Sequence, residues 1–169
     1  MKTAGRLLAF LLAALLCMGA VTSALGEEAQ YSTTKDFLEL LDQENLSYHF
    51  AGTISSDEEY VFLDNEDENF AYTINVYFHP DNDRACAYVW NIITFEDADF
   101  ANVLRVVNDL NYSYKYTRFY VDETDNTVTC ALTLILHDDN DAGDIVLEGL
   151  LRMASILKNA YPMLVEYDK

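Results

Sequence analysis

Apolar residues along this chain recur with two different periods, and the switches between them predict its elements. Phe37, Leu40 and Leu41 follow Thr33 at helical spacing, with Leu38 broadening the stripe. Thr33 is placed to cap this helix and Asp36 to accept back toward the cap, so the helix should run from there to near Asn45. Extended structure is expected next. Ser47 to Ala51 and Glu59 to Asp64 are rich in aromatic and branched residues and are parted by Gly52 and Ser55-Ser56. After an acidic loop at Asp64 to Asn69, Ala71 to His79 and Arg84 to Ile93 form a long hairpin turning at Pro80-Asp81-Asn82-Asp83.

The helical period returns from Thr94, with Asp97 near the start of a second helix. Its stripe is Ala101, Leu104, Val107 and Leu110, joined by Phe100 and Val103, and it closes at Asn108 to Asn111. Tyr116 to Asp122 and Thr127 to Leu136 read as a second hairpin about Thr124-Asp125-Asn126. Asp138 to Asp141 announce the last helix, with Asp141 as cap and Asp144 in the first turn, where a carboxylate suits the helix dipole. Leu147, Leu150, Leu151, Ala154, Leu157 and Tyr161 form its apolar face, and Pro162 should stop it. Helix, three or four strands, helix, two strands, helix is the order of an α+β domain built on an antiparallel sheet.

Alternation within the hairpins assigns faces. In the second, Phe119 and Val121 share an apolar face with Val128, Cys130, Leu132 and Leu134, leaving Arg118, Tyr120, Thr129 and Thr133 outward. In the first, a four-residue loop at 80–83 opposes Phe78 to Ala85, Val76 to Ala87 and Ile74 to Val89 as the core face. Tyr77, Cys86, Tyr88 and Trp90 then line the other face, an exposed aromatic patch of the kind that marks a partner or dimer surface. A five-residue loop or a bulge would instead bury Cys86, Tyr88 and Trp90. The same choice decides a Cys86–Cys130 disulfide, since the four-residue register puts the two thiols on opposite faces.

Met1 to Gly26 reads as a secretory leader rather than part of the fold. Lys2 and Arg6 precede an apolar run from Leu7 to Met18, followed by small residues suited to cleavage after Ala24 or Gly26. An uncleaved anchor is the alternative, against which the short apolar run argues. Cys17 follows Leu15-Leu16, the wrong context for lipid attachment. Residues 27–32 are a polar lead-in and 33–169 a single domain, expected to be secreted or extracytoplasmic and without a membrane span once the leader is removed.

The whole chain of 169 residues has a formal charge of −19; without the leader it keeps 8 Lys+Arg against 29 Asp+Glu, or −21. That balance excludes a nucleic-acid binder and favours either simple solubility or a basic partner. Candidate chemistry is thin. His49, His79 and His137 fall at no metal-ligand spacing, so no metal or cofactor is expected. Cys86 and Cys130 lie within strands, no serine has a nucleophile context, and no glycine-rich phosphate loop is present. Asp139 to Asp144 fails as a calcium loop because Gly143 arrives one position early and Leu150 stands where a glutamate is needed. Weak cation binding at Asp64 to Glu68 or Asp81/Asp83 stays open, as does a hydrolase using Asp64/Glu66 or Asp81/Asp83. Asn45-Leu46-Ser47 and Asn111-Tyr112-Ser113 are glycosylation sequons in a host with that machinery.

The run Val103-Leu104-Arg105-Val106-Val107-Asn108-Asp109-Leu110-Asn111, then Lys115, then Arg118-Phe119-Tyr120-Val121-Asp122, resembles the bacterial YbjN-like domain over roughly 33–165. The resemblance implies an α-β-β-β-α-β-β-α fold similar to type III secretion chaperones, which dimerise and bind extended polypeptides without catalysis. The family is described as sensory-transduction regulators with no agreed activity. Asn108, Asn111, Arg118 and Phe119 match its pattern and gain no catalytic role from it; the two asparagines should satisfy the helix end and Phe119 fill the core. The leader departs from the family. The expectation is a non-catalytic exported module that recognises a polypeptide, or itself, through a sheet face or edge, with Tyr77, Tyr88 and Trp90 as the candidate surface.

Overall fold

A computed structural model describes residues 28–66, 70–136 and 141–169. The leader with Cys17, the tip of the acidic loop at 67–69, and His137 with Asp138 to Asn140 lie outside the described residues. The elements are α1 (Ser32–Gln43), β1 (His49–Thr53), β2 (Glu59–Glu66), β3 (Ala71–Phe78), β4 (Arg84–Thr94), α2 (Phe100–Ser113), β5 (Arg118–Asp122), β6 (Thr127–Ile135) and α3 (Ala142–Leu164). Six antiparallel strands form one sheet in the order β1-β2-β3-β4-β6-β5. The fold is therefore α+β, with four strands before α2 where the family resemblance implies three. No helix of the described residues is long and apolar enough to cross a membrane.

The second hairpin keeps its predicted register, and of the two alternatives for the first the structure takes the four-residue loop. Val76 opposes Ala87 and Phe78 opposes Ala85, so the loop at 80–83 has four residues. Phe119 opposes Cys130 and Val121 opposes Val128. One sheet face consequently carries Val61, Leu63, Ile74, Val76, Phe78, Ala85, Ala87, Val89, Phe119, Val128, Cys130, Leu132 and Leu134, all buried. The helices cover this face. Phe37 of α1 meets Phe78 with ring centroids 5.5 Å apart, and Gly149 of α3 admits the Leu134 side chain against its backbone. Cys86 points to the opposite face from Cys130, and both thiols are free.

Several local expectations are corrected by longer-range contacts. Thr33 does not cap α1; the cap position is Tyr31, whose side chain makes no cap bond. Asn82 supplies the missing acceptor from the β3–β4 turn: its Oδ1 receives Thr33 N–H at 3.2 Å, Thr33 Oγ1–H at 3.0 Å and Ser32 Oγ–H at 3.2 Å. Asp36 turns away from its own helix, and its Oδ2 accepts Gly143 N–H of α3 at 2.7 Å. Buried Glu59 accepts the backbone N–H groups of Gln30 and Tyr31, which fastens the lead-in to β2.

Thr94 ends β4 instead of starting α2, which follows a short 3-10 turn at Asp97–Asp99. Helix α2 buries Val103, Val107 and Leu110, while Leu104 is exposed. The buried stripe of α3 is Val146, Gly149, Leu150, Met153, Leu157, Ala160 and Leu164, rotated from the predicted one, and Pro162 lies within its last turn. Pro162 is tolerated because only the final residues follow it, so a single helix bond is forfeited near an end that frays anyway.

Candidate functional site

The sheet face turned away from the helices receives the side chains that the core registers reject. On β4 these are Cys86, Tyr88 and Trp90, and on β3 Tyr77 and Asn75, as the alternation predicts. Strand β2 adds Tyr60, which opposes Tyr77, and Phe62, which opposes Asn75. Strand β1 adds His49 opposite Phe62. Farther along β1, Gly52 at φ 76° sits in a bulge between Phe50 and Thr53 that shifts the register by one residue.

Six rings thus form an unbroken ladder across four strands. His49 stacks on Phe62 at 4.6 Å, Phe62 on Tyr60 at 5.3 Å, and Tyr60 on Tyr77 at 4.9 Å. Tyr77 meets Tyr88 edge-on at 5.8 Å, and Tyr88 stacks on Trp90 at 4.5 Å. Trp90 is 44% exposed and ends the ladder where β4 bulges against β6 around Asn91, whose φ is 51°. The rings stack on one another, so they offer solvent their edges and hydroxyls rather than their flat faces. Contacts of this kind contribute about 0.5–1.5 kcal/mol per pair beyond burial, which fixes the ladder in shape before anything lands on it.

The sequence reading placed Tyr77, Tyr88 and Trp90 together, and the fold brings them together. It missed His49, Tyr60 and Phe62. Even-numbered positions of β2 carry Tyr60 and Phe62 while Val61 and Leu63 take the core, so both faces of that strand are apolar and its alternation is masked. The β2–β3 register is the signal that separates them.

Two hydroxyls of the ladder, and that of neighbouring Tyr120, hold their protons more tightly than usual. Burial holds the Tyr60, Tyr88 and Tyr120 hydroxyls above the usual tyrosine range, with Tyr77 adding to the effect at Tyr60 and Cys86 at Tyr88. Asn75 ties the centre: Tyr60 Oη–H donates to its Oδ1, and its Nδ2 donates to the Thr73 and Tyr88 carbonyls at 3.1 and 3.3 Å. Carboxylates rim the patch. Asp64 accepts Thr73 Oγ1–H at 2.7 Å and lies 3.7 Å from His49 Nε2, Glu66 continues the same face of β2, Asp122 ends β5, and Glu58 lies close enough to help raise Tyr88.

The other candidates are dispersed. His79, Asp81 and Asp83 cluster on the exposed β3–β4 turn with ligand atoms within 4.8 Å of one another. His79 Nδ1 is 2.6 Å from Asp81, and Arg84 Nη2 lies 2.7 Å from His79 Nε2, so a guanidinium already supplies the positive charge there. At Asp81 desolvation is outweighed by the summed bonds from Asp83 and His79 and the carboxyl titrates low, whereas its bond to Asp81 raises Asp83. Both side chains are more than half exposed and Asp64 is 64% exposed. The Asp81/Asp83 pair thus sits on an exposed turn, and Asp64 faces solvent on β2.

Residues 33–161 match the family model YbjN, described as "Putative bacterial sensory transduction regulator". No curated protein matches the sequence.

Proposed function

Because this chain belongs to the YbjN family, we propose that it is a non-catalytic regulatory module exported by its leader. It holds an extended, cation-bearing segment of a partner polypeptide on the aromatic face of its sheet. The observation that carries this reading is the continuous ring ladder from His49 to Trp90, turned away from the helices. An apolar surface of that kind, rimmed by polar groups, is characteristic of an interaction site. The rim selects the partner. Asp64, Glu66, Asp122 and Glu58 attract lysine and arginine side chains, whose aliphatic stems lie along the ring edges.

Charge also argues for a partner over a second copy. Two exported chains, each with 8 Lys+Arg against 29 Asp+Glu, or −21, docking face to face would bring these rims together, and like charges across an interface oppose association.

Calorimetric titration tests the reading, with a decapeptide alternating lysine and valine as probe and a glutamate–valine decapeptide as control. The lysine peptide should bind at least tenfold more tightly, and Tyr88→Ser with Trp90→Ser should remove that binding while far-UV dichroism is unchanged. Equal affinity for the two peptides, or full retention by the double variant, contradicts it.

A further inference from the structure

The β5–β6 ladder stops short of the end of β6. Its first pair is Arg118 with Ala131, yet β6 continues to Ile135 with β4 as its neighbour on the other side. Backbone phase shows which groups this leaves open. Phe119 N–H donates to Asn111 Oδ1 and Phe119 C=O accepts from Asn111 Nδ2, so those groups point away from β6. In an antiparallel ladder the direction alternates, so Ala131 faces β5 and Thr133 and Ile135 face the same side. Leu136 N–H bonds to Asp83 C=O at 2.7 Å on the β4 side, in step with that phase. Among the described residues no strand pairs with Thr133 and Ile135 on this side, so their two donors and two acceptors have no ladder partner there, and Ile135 is 65% exposed.

A pocket of about 270 Å³ occupies this gap, lined by Lys115 to Arg118 and Ala131 to Thr133. Its charge is anomalous for so acidic a chain. Arg84, Arg152 and Lys169 pair with Asp83, Glu148 and Glu96. Lys115 instead lies over the Tyr112 ring at 4.7 Å, and neither Lys115 nor Arg118 has a carboxylate partner among the described residues.

We propose that the open edge of β6 takes the C-terminal end of a partner polypeptide as an added antiparallel strand, its terminal carboxylate held by Lys115 and Arg118. Direction follows from topology. A strand antiparallel to β6 and collinear with β5 runs toward Arg118, so its last residue arrives at the two cations. Residues 132–135 give it room for about four residues at ~3.4 Å each, and its backbone bonds supply affinity without demanding a sequence. Ile135 offers an apolar neighbour on the same face as the rings. This inference rests on the polypeptide-binding reading above and adds to it a second contact with its own chemistry.

The probe is a hexapeptide alternating threonine and valine with a free C-terminal carboxylate, followed by amide shifts of the labelled full-length protein. Thr133 and Ile135 amides should shift, and the amidated peptide should bind at least tenfold more weakly. An amidated peptide carrying a glutamate near its end distinguishes a side-chain carboxylate from the chain terminus; on this proposal it does not restore full affinity. Ile135→Pro removes a donor that β4 does not use and should abolish binding, while Lys115→Ala with Arg118→Ala should erase the difference between free and amidated ends. Absence of shifts at millimolar peptide, or equal binding of both ends to the wild type, overturns the proposal. The lysine–valine decapeptide reports on the ring face separately, so its binding by Ile135→Pro distinguishes failure of the edge from failure of the module reading.

Discussion

Asn111 and Phe119 are joined by a reciprocal pair of 2.8 Å hydrogen bonds, the side-chain amide of one closing on the backbone N–H and C=O of the other. The amide takes the place of a seventh strand at this point of the sheet. It ties the last turn of α2 to the edge strand and lets Phe119 drop its ring into the core. It also commits the nitrogen of the Asn111 sequon to a structural bond.

Replacing Asn111 by alanine leaves both backbone groups without that partner, at a cost of about 1–3 kcal/mol. Urea denaturation should show this loss, and the Phe119 amide should exchange faster than its neighbours in β5. Unchanged Phe119 exchange would mean the bonds do not protect the edge.

Asn82 joins a turn to a distant helix. At φ 59° it occupies the left-handed region while its Oδ1 caps α1. Asn82→Gly keeps the backbone and removes the cap, costing about 1 kcal/mol. Asn82→Ala adds backbone strain and should cost more. Thermal and urea unfolding of the two variants check the order.

Two glycines of α3 separate rigid from yielding contacts. A Cβ on Gly143 would sit 2.8 Å from the Asp36 carbonyl oxygen, backbone that cannot step aside, whereas one on Gly149 would meet Leu134 methyls at 2.8 and 2.9 Å. Gly143→Ala should therefore cost about 1–3 kcal/mol by forcing α1 and α3 apart, and Gly149→Ala less. The opposite ranking in denaturation would show that the helix crossing is looser than its geometry.

Burial pushes the Cys130 thiol up to about 12 from an ordinary 9.0. Above pH 9 the unfolded chain loses this proton and the folded chain keeps it, so the folded state binds more protons and stability falls as pH rises toward 12. The slope from this one group is at most about 1.4 kcal/mol per pH unit. Cys130→Ala should flatten the alkaline limb relative to wild type. In native protein Cys130 should also resist a thiol reagent that labels it after unfolding.

Short-range patterning made the strands and the second hairpin's register legible, and named half of the ring face on one of two registers it left open for the first hairpin. Loop length alone could not choose between them; the pairing of Phe78 with Ala85 does, and it sends Tyr88 and Trp90 outward. The helix ends were not legible, because their partners are remote. Asn82 caps a residue 49 positions away and Asp36 one 107 positions away, and no local rule anticipates either. Glu59 begins a strand, as the pattern predicts, but its burial is not foreseen because its donors, Gln30 and Tyr31, lie 29 and 28 positions away. The edge pocket escaped notice because it depends on where β5 stops relative to β6, which alternation does not reveal.

Trp90 is the sole tryptophan of the chain and ends the ring ladder, so acrylamide quenching of its fluorescence reads the central claim directly. On this account Trp90 is quenched in the free protein, becomes progressively shielded as the lysine–valine decapeptide is added, and is unaffected by the glutamate–valine control. A tryptophan already shielded in the free protein, or one that either peptide leaves equally exposed, would contradict an open ring face that receives a cationic polypeptide.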